Sequence, residues 1–144
     1  MSQTVQQVLR QASFYSDDQL YRLIRLPAAA ITAAAGVIAE IGEPFAALIV
    51  DKDEVTLLVP EEAWADFSAR LPGAESNPLD YRLITLDLPL EPDLVGLLAV
   101  VSAAIAAAAV PILAYGAYSR DHFFVPAARF TDAMSALEQL RHRE

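Results

Sequence analysis

The residues of this chain that could carry out chemistry are few and widely spaced. Neither of the two histidines, His122 and His142, has another histidine at metal-ligand spacing. His122 follows Asp121, but neighbours in a strand point to opposite faces, so this pair cannot act as a catalytic dyad. There is no cysteine, and the five glycines are scattered rather than grouped in a phosphate-binding loop. We therefore expect no enzyme activity, no metal and no cofactor.

Composition limits the partners. A chain of 144 residues with 55% hydrophobic and 20% charged residues fits one compact domain, or two small ones that share a core. Its net charge of −9 opposes binding to nucleic acid and to anionic membrane surfaces. The first residues, "MSQTVQQVLRQASF", lack the basic and apolar regions of a signal peptide, so we expect a cytoplasmic protein.

The segment Leu94–Tyr118 contains no charged residue and is long enough to cross a membrane. Nine of its twenty-five residues are alanine, however, and Pro111 interrupts it. Apolar residues recur at helical spacing before the proline, and β-branched and aromatic residues follow it. The pattern favours a buried helix over about Asp93–Ala109 and then a strand over Pro111–Tyr118, rather than a membrane span.

Internal similarity is the most informative feature of the sequence. "YRLIRLP" at Tyr21 returns as "YRLITLDLP" at Tyr81, and "PFAALIVDKDEVTLLVPEE" is echoed by "PILAYGAYSRDHFFVPAA". Both copies of the longer segment contain a strand, a polar turn and a second strand that ends in Val-Pro, after which an amphipathic helix follows. An alanine-rich helix separates the two segments in each copy.

Each copy therefore reads strand, helix, hairpin, helix, which predicts a duplicated ferredoxin-like βαββα unit of the α+β class. We expect residues 1–20 to form an N-terminal helix or extension, 21–79 a degenerate first unit, and 80–144 the second unit. The strand over Arg82–Leu88 could complete the first sheet, but the second copy ends without a closing strand. Either the sheets share edges, or a second copy of the chain covers the open edge, which favours a homodimer.

Residues 80–140 resemble an ACT domain of the tandem, CASTOR-like kind that is found in small bacterial proteins. The resemblance rests on an apolar strand, on "PLEPDLVGLLA" where the family has a loop and a glycine-bearing helix start, and on the hairpin "AAAAVPILAYGAYSRDHFFV". It implies an allosteric module that binds an amino acid at the edge between two units. The implied ligand-binding residues lie in the loop and in the following strand: Glu91, Asp93, Leu94, Val95, Gly96, Ala114, Tyr115 and Gly116.

The physical chemistry of these residues is compatible with that role. Free N–H groups at a helix start can hold a carboxylate, and Gly96 permits a close approach to the backbone. Asp93 or Glu91 could bind an ammonium group. Each residue also has a structural explanation, because Asp93 could simply be the helix N-cap and Gly96 could allow close packing.

Departures from the family pattern keep a second function open. Gly116 and Ala117 replace a Ser-Thr pair of the family, and Arg120 replaces a threonine. With fewer hydroxyl donors beside the pocket, the chain could instead be a structural or protein-interaction module that has kept the fold without its ligand.

Overall fold

A computed structural model describes residues 2–41 and 44–143. In chain order the helices and strands are α1 (Val5–Gln11), β1 (Ser13–Tyr15), β2 (Tyr21–Pro27), α2 (Ile31–Glu40), β3 (Ala47–Val50), β4 (Glu54–Pro60), α3 (Glu61–Phe67), β5 (Glu75–Ser76), β6 (Tyr81–Asp87), α4 (Leu97–Ala107), β7 (Leu113–Gly116), β8 (Asp121–Pro126) and α5 (Phe130–Arg141). Short 3-10 turns precede α2 and α5 and follow α3.

The chain divides into two compact units. The central unit is Gln19–Tyr81, and the terminal unit combines Met1–Asp18 with Arg82–Glu144. Residues that we predicted to be a separate N-terminal extension thus group with the second copy of the repeat. Each unit contains the order strand, helix, hairpin, helix, which confirms the predicted α+β class with a duplicated ferredoxin-like unit.

In the terminal unit the hydrogen-bonded strand order is β1-β6-β8-β7. The strand β1 pairs antiparallel with the end of β6, so that Phe14 lies opposite Leu86. The expectation that the second copy lacks a closing strand is therefore wrong, because a three-residue segment near the start of the chain supplies it. The hairpin β7–β8 places Tyr115 opposite His122 and Gly116 opposite Asp121.

The central unit has the order β3-β4-β2, with β5 on the other side of β2. All seven residues of β2 are in antiparallel register with β4, from Tyr21 opposite Pro60 to Pro27 opposite Glu54. The two-residue strand β5 pairs with Ile24 and Arg25. This unit therefore closes its sheet with residues of its own.

Both sheets bury one face against their helices. The alternation of side chains along a strand puts every second residue of β6 and β8 toward α4 and α5. The resulting core of the terminal unit includes Ile84, Leu86, Leu97, Val101, Ile105, Phe123, Val125, Ala133 and Leu137. The central core is built in the same way from Ile24, Leu26, Ala34, Val37, Val55, Leu57, Val59 and Ala63.

The repeated Tyr-Arg pair has a similar structural role in each copy. In the central unit Arg22 lies 2.9 Å from the Asp80 carboxylate and donates to the carbonyl of Asn77. In the terminal unit Arg82 donates to the carbonyl of Asp17 at 2.7 Å, and its guanidinium lies 4.0 Å from the centre of the Phe130 ring. Each arginine thus fastens a segment that leads into a first strand.

The uncharged segment divides near Pro111, as predicted, but both elements are shorter than expected. The helix α4 begins at Leu97 because Gly96, its N-cap, has a left-handed φ of 98°. Asp93 is therefore not the N-cap of this helix. At the other end Ala109 has φ 59°, and the Val110 N–H donates to the Ile105 carbonyl, a geometry typical of helix C-termini. Among the described residues, no helix combines the length and the apolar character that crossing a membrane requires.

Candidate functional site

The candidate site is built by a loop and a turn of the terminal unit. Nine residues, 88–96, connect β6 to α4, and residues 117–120 connect β7 to β8. The Leu90 N–H donates to the Ser119 carbonyl at 2.7 Å and so ties the loop to the turn. Between them lies a cavity of about 290 Å³, lined by Leu90, Glu91, Pro92, Leu94, Leu97, Ala117, Tyr118, Ser119, Arg120 and Asp121.

The lining combines opposite charges with apolar surface. Glu91 comes from the loop and Arg120 from the turn, while Leu90, Leu94 and Leu97 supply aliphatic side chains. Small-molecule sites commonly have this composition, in which apolar walls bury the ligand and a few polar groups orient it. The combination can hold a small molecule that carries both a cationic and an anionic group.

Both charged groups already have protein partners. The Arg120 Nε donates to the Asp87 carboxylate at 3.2 Å, and its Nη1 lies 3.4 Å from the Ser119 hydroxyl. The Glu91 Oε2 accepts a hydrogen bond of 2.9 Å from the backbone N–H of Gln3. A ligand must therefore share these groups rather than meet free ones, while the partners hold the side chains in place.

The surroundings shift the pKa values of Asp121 and His122, the first two residues of β8. Burial raises the pKa of Asp121, and the neighbouring His122 opposes that rise. Burial lowers the pKa of His122, with Asp121 acting against the shift and Arg120 adding to it. Asp121 lines the cavity, whereas the His122 Nδ1 lies 2.8 Å from the Thr85 hydroxyl in the sheet.

Of the eight residues singled out from the sequence, Glu91 and Leu94 line this cavity. The others surround it or lie elsewhere. Asp93 is exposed in the loop, Val95 is 87% exposed and Gly96 is the N-cap of α4.

The three predicted residues of β7 do not line the cavity. Ala114 is exposed, and the half-buried Tyr115 packs edge-to-face on Phe124, with 5.8 Å between ring centres. Gly116 ends β7 opposite Asp121, just before the turn begins. The expectation of free N–H groups at the helix start is also corrected at Leu94. The Leu94 N–H is not free for a carboxylate, because it donates to the Glu91 carbonyl at 3.1 Å.

Sequence reasoning missed the turn. In the sequence, Arg120 stands out only as a departure from the family pattern, and Asp121 only as the neighbour of His122. The signal was present in "AYSRD", a charged hairpin turn that joins the last strands of the repeat, but only the fold brings it to the loop. Across the described residues no group of histidine, aspartate and glutamate side chains is placed to hold a metal ion.

Each unit also contains a larger hollow. One of about 390 Å³ lies between α4 and α5. Its lining consists of four alanines and four polar residues, which include Asp132 and Arg143. Another, of about 350 Å³ on the central sheet, contains Arg25 and Glu75, which pair with each other at 3.2 Å. Neither hollow includes a residue of the loop 88–96, which carries most of the residues singled out from the sequence.

A known family model matches part of the chain. Residues 77–139 match the family model described as ACT domain, a range that covers α4, the hairpin and most of α5. A search of curated protein sequences finds no match.

Solved structures share the fold across nearly the whole chain. A protein of unknown function from Vibrio cholerae is 23% identical with a TM-score of 0.74, over 96% of this chain and 97% of that one. The ligand-free regulatory subunit of aspartate kinase from Thermus thermophilus is 14% identical with a TM-score of 0.64, over 89% and 97%. The aspartate kinase of Clostridium acetobutylicum is 11% identical with a TM-score of 0.69. The match covers 90% of this chain but 34% of that enzyme.

Proposed function

We propose that the terminal unit binds a small amino acid without catalysis and acts as a regulatory module of the ACT type. The observation that carries the proposal is the cavity between residues 88–96 and 117–121, where Glu91 and Arg120 join three leucines. An amino acid carries an ammonium and a carboxylate on one carbon. Glu91 would bind the ammonium, and Arg120 would bind the carboxylate through charge-assisted hydrogen bonds.

The lining also indicates which kind of side chain the amino acid ligand carries. Leu90, Leu94 and Leu97 offer an aliphatic surface, whereas a ligand with a second charge would lack a free partner among them. A cavity of about 290 Å³ is at the lower end of the usual range for small-molecule sites. L-leucine is therefore the first probe.

The comparisons support a regulatory role. The structures that share the fold include regulatory subunits of aspartate kinase, and the ACT match covers the segment that contains the cavity. We extend the assignment to the central unit as a degenerate copy of the same module, in the tandem, CASTOR-like arrangement of a cytoplasmic bacterial protein. The basis is the internal repeat and the shared order of elements in the two units.

We further propose that the protein is a homodimer. The apolar residues beside the cavity are strongly exposed, with Val95 at 87%, Tyr118 at 102% and Leu98 at 51%. Groups of exposed apolar residues commonly mark interfaces. A second copy that covers them would also shield the ligand from water.

The same observations favour one alternative, a structural or protein-interaction module that has kept the fold without ligand binding. Arg120 and Glu91 both have protein partners, so both could simply stabilise the loop and the turn. Tyr118 would then contact another protein rather than close a ligand site.

A thermal-shift screen against the twenty amino acids, followed by calorimetric titration with L-leucine, tests the proposal. A ligand at about 100 times its Kd should add about 2.7 kcal/mol to the free energy of unfolding. Glu91→Gln removes the charge but keeps an oxygen that can accept from the Gln3 N–H. We expect this variant to bind at least about tenfold more weakly, a change of 1.4 kcal/mol.

Asp93→Asn is the matched control. It removes a carboxylate from the same loop at an exposed position outside the cavity lining. Its affinity should equal that of the wild type. Absence of any thermal shift across the screen, in a protein that melts cooperatively, would favour the interaction module.

A further inference from the structure

A residue near the start of the chain is fastened to the candidate binding loop. The Gln3 N–H donates to the Glu91 Oε2 at 2.9 Å, and the Glu91 N–H donates to the Gln3 Oε1 at 2.8 Å. The Gln3 Nε2 also donates to the Pro89 carbonyl at 2.9 Å. The backbone and side chain of one glutamine therefore make three hydrogen bonds to two residues of the loop.

Gln3 is held by an anchored helix. Thr4, the N-cap of α1, accepts from the Gln7 N–H, and the Gln7 side chain accepts in return from the Thr4 N–H. Behind this capping box Val8 and Leu9 are buried in the core of the terminal unit. Gln3 thus directly precedes the N-cap of a helix that is anchored in the core.

The loop needs support of this kind. It contains two prolines, Pro89 and Pro92, which have no N–H to donate. Its backbone hydrogen bonds include one from Leu90 to the turn and one from Leu94 to Glu91. Gln3 adds two hydrogen bonds at Glu91, which lies between Leu90 and Leu94 and lines the cavity, and one at Pro89.

We propose that Gln3 is a positioning residue of the candidate site, which presets the loop 88–96 and orients the Glu91 carboxylate before any ligand arrives. The binding site of the terminal unit then includes a segment that lies 88 residues away in sequence and outside the range of the family match. A preset loop loses less conformational freedom when a ligand binds, and this strengthens binding without any new contact. The ligand part of this inference rests on the proposed function, but the positioning part does not.

Amide hydrogen exchange in the ligand-free protein tests the positioning part. In Gln3→Ala the Glu91 N–H loses its acceptor, so we expect its protection factor to fall about tenfold or more. Gln6→Ala is the matched control, because it removes a glutamine side chain from an exposed position of α1, outside the capping box. If Gln6→Ala lowered protection at Glu91 as much as Gln3→Ala does, or if neither changed it, Gln3 would not position the loop.

A second variant distinguishes the loss of the hydrogen bond from a general loss of packing. Gln3→Glu keeps an oxygen that can accept from the Glu91 N–H, but it places a second carboxylate near Glu91 and Pro89. Protection at Glu91 should then be lower than in the wild type and should recover in part when added salt screens the repulsion between the two carboxylates. Low protection that does not change with salt concentration would contradict the geometry that we propose.

Calorimetric titration with L-leucine tests the ligand part. We expect Gln3→Ala to bind about tenfold more weakly than the wild type and Gln6→Ala to bind as tightly as the wild type. Equal affinity of Gln3→Ala and wild type would overturn the ligand part, even if the loop loosens. A wild-type protein that does not bind L-leucine would count against the proposed function instead, and the exchange measurements would still decide whether Gln3 positions the loop.

Discussion

The two units make the same connection, from first strand to first helix, with segments of very different length. In the central unit β2 ends at Pro27, and a 3-10 turn begins at Ala28 and leads into α2. In the terminal unit nine residues separate β6 from α4. The repeated sequence has thus preserved strands and helices but not the segment between them, and the candidate site lies in the longer segment.

The hairpin turns differ in a matching way. In the central unit the Asp51 carboxylate accepts from the N–H groups of Asp53 and Glu54, so the turn satisfies its own backbone. In the terminal unit the carbonyl of Ser119 accepts from Leu90, and Arg120 reaches Asp87. One turn is closed on itself, whereas the other is bonded to the loop beside it.

The hollows at the two connections have nearly the same volume. The hollow at the central connection has about 300 Å³, close to the 290 Å³ of the candidate site. Its charged residues are Arg25, Asp53, Glu54 and Glu75, and none of residues 28–30, which connect β2 to α2, contributes to it. The candidate site therefore differs from the central hollow in its lining by the connection 88–96, rather than in its volume.

The largest expected effect concerns the start of α4. Gly96 has φ 98°, whereas Gly36 lies inside the regular helix α2. Gly96→Ala should lower the free energy of unfolding by about 1–2 kcal/mol, because an L side chain is strained at this φ although the nearest atom leaves room for Cβ.

Gly36→Ala is the control and should raise the free energy of unfolding by about 0.5–1 kcal/mol. Urea denaturation of both variants measures the difference. Similar stabilisation by the two substitutions would show that the loop does not enter α4 through a left-handed residue.

A smaller effect of opposite sign is expected at the end of α4. Ala109 occupies a left-handed position that usually carries glycine, and its φ is 59°. Ala109→Gly should therefore stabilise the protein by about 1 kcal/mol. Denaturant melts at constant pH would detect this change, and a loss of stability would contradict the assigned backbone conformation.

The smallest expected effect is a change in pH dependence at the turn. The pKa of Asp121 is raised, so the folded state holds more protons there, and this contribution to stability is present below pH 3.8 and is lost as pH rises through the raised pKa. The pKa of His122 is lowered, so its contribution is present above pH 6.5 and is lost as pH falls through the lowered pKa.

Melting temperatures measured as a function of pH separate the two groups. Asp121→Asn should gain stability relative to the wild type as pH rises from below 3.8, and His122→Gln should gain as pH falls below 6.5. Curves that stay parallel to that of the wild type would show that burial does not perturb these side chains.

The sequence predicted what depends on local periodicity. The repeat around Tyr21 and Tyr81 gave the strands, the hairpins and the helices that follow Val-Pro, because hydrophobic patterns reflect burial. The strand β1 could not be predicted in this way, because three residues carry no periodicity and their partner lies about seventy positions away. The N-cap at Gly96 depends on its positive φ, which the sequence does not reveal. Asp93, three residues earlier, is the more usual type of N-cap residue and was therefore the expected one.

The candidate site was predictable only in part. The loop residues Glu91 and Leu94 follow from a family-like helix start, but Arg120 and Gln3 reach the site through tertiary contacts. No spacing rule connects residues 3, 91 and 120. Their proximity is a property of the folded terminal unit.

Titration of the ¹⁵N-labelled protein with L-leucine, followed by amide NMR, tests the central claim most directly, because it reports on both connections at once. We expect the shifts to be confined to Gln3 and to residues 90–97 and 117–121, with no change around Arg25, Pro27 and Gly73. Shifts at the central connection, or equal shifts at both, would contradict the claim that the long loop makes the site.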